Sequence, residues 1–227
     1  MDVIYEDNHI IVVNKRPGEI VQGDKTGDEP LSEKLKTWLK EKYNKPGNVF
    51  VGVTHRLDRP VGGLVVFAKT SKALARLNDM FRKGEVHKTY WAITEGKPEN
   101  AEALLINHLE NVERINKTFI QPKPTPYSKE ARLKYRTLAQ GERYNLLEVE
   151  LLTGRKHQIR AQLAGIGCPI KGDLKYGAKR SNPDGGISLL ARHIELVHPV
   201  SKETISLTAP VPDERLWKDL EKTAGNK

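Results

Sequence analysis

The stretch His55-Arg56-Leu57-Asp58-Arg59-Pro60-Val61-Gly62-Gly63-Leu64 sets one carboxylate, Asp58, between two arginines and ahead of two glycines and an apolar run. Guanidinium neighbours keep a carboxylate ionised and fix its direction through paired hydrogen bonds, and glycines let a ligand approach the backbone closely. The flanks decide its place in the fold. Val49 to Val53 and Leu64 to Ala68 are rich in β-formers, so Asp58 reads as part of a loop held between two strands. Loops held by strands are common homes for chemistry.

Working outward, Val3 to Tyr5 and Ile10 to Asn14 flank a polar turn and read as an opening hairpin that ends at Lys15-Arg16-Pro17-Gly18. Leu31, Leu35, Trp38 and Leu39 recur at helical spacing until Asn44-Lys45-Pro46-Gly47, which predicts a surface helix over 31–43 with solvated lysines at Lys34, Lys36 and Lys40. A second helix is expected from about Lys72 to Lys83, with Gly84 as its stop. Strands follow at His87 to Thr94 and Ala103 to Leu109. Asn111 to Lys129 reads as a loop or irregular hairpin, and a clear hairpin turns at Gln140-Gly141. Lys156 to Ala164 favours a helix, Ser188 to Val197 and Thr204 to Leu207 read as closing strands, and Leu216, Trp217 and Leu220 as a last short helix. Short turns between successive strands predict an α+β fold with a largely antiparallel mixed sheet flanked by helices and loops, in one domain over 1–227.

The 227 residues are 37% hydrophobic, enough for a real core, and carry a formal charge of +9 spread along the chain. Distributed positive charge points to an anionic partner, nucleic acid first. The single cysteine, Cys168, excludes an internal disulfide and a multi-cysteine metal site. No apolar run reaches the ~18 residues of a membrane span. A soluble cytoplasmic protein is the expectation.

Two further clusters carry chemistry. Thr153-Gly154-Arg155-Lys156-His157-Gln158-Ile159-Arg160 lies where a strand gives way to a helix, so free backbone amides and basic side chains face one place, a natural seat for an anion or else a solvated basic face. In Val86-His87-Lys88-Thr89-Tyr90-Trp91-Ala92, strand alternation puts Lys88 and Tyr90 on one face and His87, Thr89 and Trp91 on the other. A tyrosine beside a lysine suits a nucleobase and its phosphate, though periodicity alone more often marks a core aromatic.

Together these clusters resemble the RluA-type pseudouridine synthases. Further matching segments are Val12-Val13-Asn14-Lys15-Arg16-Pro17-Gly18, Phe67-Ala68-Lys69, Pro169-Ile170-Lys171-Gly172-Asp173 with Tyr176-Gly177, Ala191-Arg192-His193 and His198-Pro199. The resemblance implies the pseudouridine synthase catalytic fold and an isomerase of uridines in ribosomal or transfer RNA that uses no cofactor and no metal. By the same resemblance Asp58 is the catalytic aspartate, Tyr90 the tyrosine that packs on the target base, and Arg155 the arginine that pairs with Asp58. Arg56 is the RNA-contacting arginine beside it, and Leu190 part of the pocket wall. Arg59, Lys88, Lys156, His157 and Arg160 are expected to add RNA contacts. Where many members carry Thr-Ser-Gly after the aspartate motif, this chain reads Val61-Gly62-Gly63, and it is expected to lack the S4 domain of some relatives and to act as a monomer. Two rival readings are a non-catalytic RNA-binding or chaperone protein and a metal nuclease. The intact Asp58, Tyr90 and Arg155 set speaks against the first; the second lacks a metal-ligand spacing among His55, His157, His193 and His198.

Overall fold

A computed structural model describes residues 1–225, which fall into two compact units: Met1–His87 with Ala191–Ala209, and Lys88–Leu190 with the segment from Pro210 onward. The chain opens with β1 (Val3–Glu6) and β2 (Ile10–Lys15), an antiparallel hairpin. Its turn is set by Asp7, whose carboxylate accepts the His9 and Ile10 amides at 2.7 and 2.8 Å. Helix α1 (Leu31–Lys42) buries Leu31, Leu35 and Leu39. Short β3 (Gly52–Val53) and long β4 (Gly62–Ala68) follow. β4 pairs antiparallel with both β2 and β3, and every one of its residues is buried. Helix α2 (Ser71–Lys83) starts where the Thr70 hydroxyl caps the Ala73 amide and stops at Gly84, φ +74°. Its Ala73, Leu77 and Met80 pack on Ile10, Val12, Leu64 and Val66.

The second unit is a meander-like antiparallel sheet of β5 (His87–Glu95), β6 (Glu102–Val112), β7 (Lys117–Gln121), β8 (Lys129–Gln140) and β9 (Tyr144–Leu151), ordered β5-β9-β8-β6-β7. Helix α3 (Gln158–Gly165) lies against β6 and β7, with Ala161 and Ala164 beside Leu109, Ile120 and Ala131. The chain then returns to the first unit with β10 (Leu189–Val197), next to β4, and β11 (Thr204–Thr208), antiparallel to β10. It ends in the second with α4 (Arg215–Gly225), which buries Trp217 and Leu220 against Ile93 and Leu146. The expected α+β class and antiparallel pairing are what the strands show.

The region 111–129 holds the irregular hairpin that was one of its two readings: β7 pairs antiparallel with β6 over five residue pairs, across a turn with Asn116 in the left-handed region. Two expectations shift. Only Gly52 and Val53 of the 49–53 run pair. Helix α3 begins at Gln158, not Lys156, since His157 has φ +53° and cannot belong to a right-handed helix.

At Gly63 the backbone has φ +112°, and a Cβ would stand 2.4 Å from the Ala191 carbonyl oxygen and 2.5 Å from its nitrogen. Only glycine lets β4 and β10 come this close. Gly63→Ala is expected to cost about 2 kcal/mol or more, a fall in melting temperature of roughly 5 °C by calorimetry.

At the far end of α1, Glu6 binds Lys42 at 2.5 Å, Lys69 at 2.6 Å and the Tyr43 hydroxyl at 2.9 Å. Burial pushes its carboxyl up, but these three donors outweigh burial and hold it at about 2. A carboxyl with a depressed folded pKa stabilises above its unfolded value and loses that contribution as pH falls through the folded one. Glu6→Gln is therefore expected to be less stable than the parent at neutral pH, with the difference in urea unfolding shrinking below about pH 4.5 and vanishing near pH 2.

Candidate active site

In the first unit, Asp58 is half-buried on the loop between β3 and β4. The loop is tied down from beneath by Lys15, the last residue of β2, whose side chain is 1% exposed. Its ammonium donates to the carbonyl oxygens of Val61 at 2.6 Å, Arg59 at 3.0 Å, Arg16 at 3.2 Å and Asp58 at 3.4 Å. The Gly18 amide adds a bond to the Arg59 carbonyl at 2.9 Å, and the Val61 amide turns back onto the Asp58 carbonyl at 3.0 Å. Burial pulls the Lys15 pKa down to about 8, against the pull of Glu19 and Asp58. His55, at the start of the loop, is held by its ring: Nε2 accepts the Val66 amide at 3.0 Å, and the ring lies 4.7 Å from that of Phe81 on α2. Arg56 and Arg59 are exposed, Arg59 facing Asp28 in a solvent-exposed ion pair.

In the second unit, Tyr90 is 6% exposed and sits on β5 opposite Val149 of β9, which is itself opposite Tyr135 of β8. Trp91 takes the other face, with its Nε1 toward Glu148 at 3.5 Å and its ring near α4, as the alternation predicts. Lys88 shares the face of Tyr90 and is half-buried; burial pushes its pKa down. After β9 the chain makes the Thr153–His157 turn. Arg155 and Lys156 are exposed on it, and the Arg155 Nε donates to the Glu130 carbonyl at 2.9 Å.

Two of the expected RNA contacts lie inside this unit instead. Arg160 is 5% exposed and forks onto Asp173, Nε to Oδ2 at 2.7 Å and Nη2 to Oδ1 at 2.9 Å. A guanidinium so buried and doubly bonded fixes the Gly172-Asp173 turn. His157 is 7% exposed, with Nδ1 2.9 Å from the Tyr176 hydroxyl, which accepts the Thr118 amide at 2.8 Å. Leu190, expected on a pocket wall, is 3% exposed and packs with Ile93, Leu146 and Trp217 in the core under α4. Among the described residues no group of three or more His, Cys, Asp or Glu side chains is placed to hold a metal, and no helix is long and apolar enough to cross a membrane.

The family described as RNA pseudouridylate synthase matches residues 9–165, a span that contains Asp58, Tyr90 and Arg155. The chain belongs to this family. Among its relatives, an uncharacterized RNA pseudouridine synthase of Bacillus subtilis, YhcT, is 33% identical over 219 residues, covering 93% of this chain and 69% of the relative. The tRNA pseudouridine synthase C of Pectobacterium carotovorum is 31% identical over 92% of this chain and 58% of its own length. The ribosomal large subunit pseudouridine synthase C of Vibrio cholerae is 31% identical, over 92% and 65%. The chain thus spans 58% to 69% of the length of these relatives. In fold it is similar to human RNA pseudouridylate synthase domain containing 4, with a TM-score of 0.80 at 22% identity over 99% of this chain and 93% of the other.

Reading the sequence as a pseudouridylate synthase did not single out Lys15 or Gln158, which hold the Asp58 and Arg155 loops. Lys15 follows Asn14 at the end of β2 and so reads as a turn residue; the available signal was that the neighbouring strand β4 has no polar side chain and is buried at every position, which leaves only main-chain oxygens to meet an ammonium there. Lys15→Met is expected to take the ammonium donor from the buried Val61 carbonyl oxygen, to leave those of Asp58 and Arg59 with only their backbone amide donors, and to destabilise the protein by about 1 to 3 kcal/mol, measured by urea unfolding. Unchanged stability would show that water can replace the ammonium.

Proposed function

We propose that this chain isomerises uridines in RNA to pseudouridine, with Asp58 as the catalytic carboxylate. The supporting observation is a half-buried aspartate whose main chain is fixed by a buried ammonium, in the segment that carries the family's aspartate motif. The reaction breaks the N1–C1′ bond, turns the uracil and joins C5 to C1′, with the C5 proton leaving and N1 regaining one, so no oxidant and no net water is consumed. Asp58 acts on the ribose, either by attack at C1′ or by removing the C2′ proton. Tyr90 packs on the uracil, and Arg155 keeps the carboxylate ionised during turnover, since an opposite charge favours the ionised form. The family resemblance supports these roles.

Extruding a stacked uridine needs cations that hold the strand open. The exposed Arg56, Arg59 and Lys156, with half-buried Lys88, are the residues we assign to the phosphates; His157 and Arg160 serve the internal framework. The two units work as one catalytic domain, in the cytoplasm, as a monomer, on ribosomal or transfer RNA, the substrates that the names of the relatives give.

Asp58→Asn is expected to lower tritium release from 5-tritiated-uridine RNA by about a thousandfold or more, as removal of a reacting group does, while RNA affinity stays within about twofold. Turnover near that of the parent would remove Asp58 from the chemistry. Lost turnover together with lost RNA binding would reassign it to substrate holding.

A further inference from the structure

We propose that Gln158 is a positioning residue for Arg155: its carboxamide sets the turn that presents the arginine. The proposal rests on the reading of Arg155 given above. Gln158 is 3% exposed and opens helix α3. Its Oε1 accepts two bonds, from the Arg155 amide at 2.9 Å and the Thr153 hydroxyl at 2.8 Å. Its Nε2 donates to the Arg132 carbonyl on β8 at 2.9 Å. One side chain thereby ties both ends of the Thr153–Arg155 turn to a strand of the sheet.

The neighbours reinforce the tie. Thr153 is itself fixed to β8, its hydroxyl oxygen accepting the Arg132 amide at 2.8 Å and its own amide reaching the Arg132 carbonyl at 3.2 Å. The Gln158 amide returns to the Arg155 carbonyl at 3.1 Å, so residue 155 is gripped through both its N–H and its C=O. His157 holds φ +53°, a conformation costly for a non-glycine residue that persists only where its surroundings enforce it. With the backbone of 155 fixed, the side chain needs one more restraint. The bond from Nε to the Glu130 carbonyl supplies it.

An arginine on an exposed turn otherwise samples many rotamers, and holding a reacting constellation in place is worth large factors in rate. The expected signature is a loss in the chemical step that depends on Arg155 being present. Gln158→Met keeps length and apolar burial while removing all three side-chain bonds. With enzyme in excess over total RNA labelled with 5-tritiated uridine, it is expected to lower the single-turnover rate about tenfold or more and to leave the half-saturating enzyme concentration within about twofold. In the Arg155→Ala background the same substitution is expected to cost less than about twofold more, since a residue acting through another has nothing further to lose.

Thr153→Val, which removes one donor to Gln158 without touching α3, serves as a second variant and takes over where Gln158→Met fails to fold. It is expected to slow the same step several-fold, again only with Arg155 present. A rate within twofold of the parent in the folded variant, or a loss that persists undiminished in the Arg155→Ala background, overturns the proposal. Arg155→Ala with parental turnover overturns the role of Arg155 and this proposal with it. A slow Arg155→Ala beside a fast Gln158→Met overturns the positioning role alone.

Discussion

A buried ammonium facing main-chain oxygens is the constraint on which the Asp58 loop depends. Lys15 has three N–H groups and four carbonyl oxygens within 3.4 Å, so the bonds are shared and the longest, to Asp58, is the weakest. Taking an ammonium out of water costs several kcal/mol, and the pKa of about 8 shows that cost at work. Bonds to a charged donor return roughly 1.5 to 3 kcal/mol each. The balance adds little net stability, yet it specifies geometry: a segment with proline at 60 and only short pairing at β3 has few other ways to keep one shape.

The same solution recurs in the second unit, once with a neutral carboxamide and once with an ion pair. Gln158 grips the Thr153–Arg155 turn, and the Arg160–Asp173 fork grips the turn at Gly172. Apolar packing is non-directional and tolerates small shifts, whereas hydrogen bonds fix both distance and angle. Strands and helices here are held by apolar clusters around Val66, Leu146 and Ala161. The irregular segments that carry the candidate site are held by buried polar groups. That division explains why so many buried polar residues, Lys15, His157, Gln158, Arg160 and Asp173 among them, lie inside the family's motifs.

How much of this was legible in the sequence follows from the same division. Helices α1 and α2 and the β8–β9 hairpin came through because apolar periodicity records which face is buried. So did the split of Tyr90 and Trp91 across β5. The β6–β7 hairpin came through only as one of two readings, because the five residues of β7 with a left-handed Asn116 before them give no usable period. The candidate site was legible as a set of motifs and illegible as a set of partners. Arg160 and His157 look like RNA contacts because a basic run at a helix start reads as surface, and only the fold shows that α3 turns them inward to Asp173 and Tyr176. Leu190 is the mirror case: the alternation along β10 sends it under α4, a placement that depends on a helix 25 residues later in the chain.

The departure at Val61-Gly62-Gly63 becomes intelligible in the same terms. Val61 is 3% exposed, and its carbonyl makes the shortest bond to Lys15, so an apolar side chain here adds burial at the point where the ammonium already supplies the polar bond. At Gly62 a Cβ would stand 3.3 Å from the Lys15 carbonyl oxygen and 3.4 Å from the Pro17 ring, close enough that the segment after β2 would have to give by a few tenths of an ångström. Gly63 has no such latitude, because the backbone of Ala191 lies against it. The three positions are therefore graded: 61 is chosen by burial, 62 by a tight but yielding contact, and 63 by a backbone that cannot move without separating β4 from β10. Hydroxyl groups are dispensable at the first two for holding the loop, because Lys15 reaches the main chain, which every residue carries.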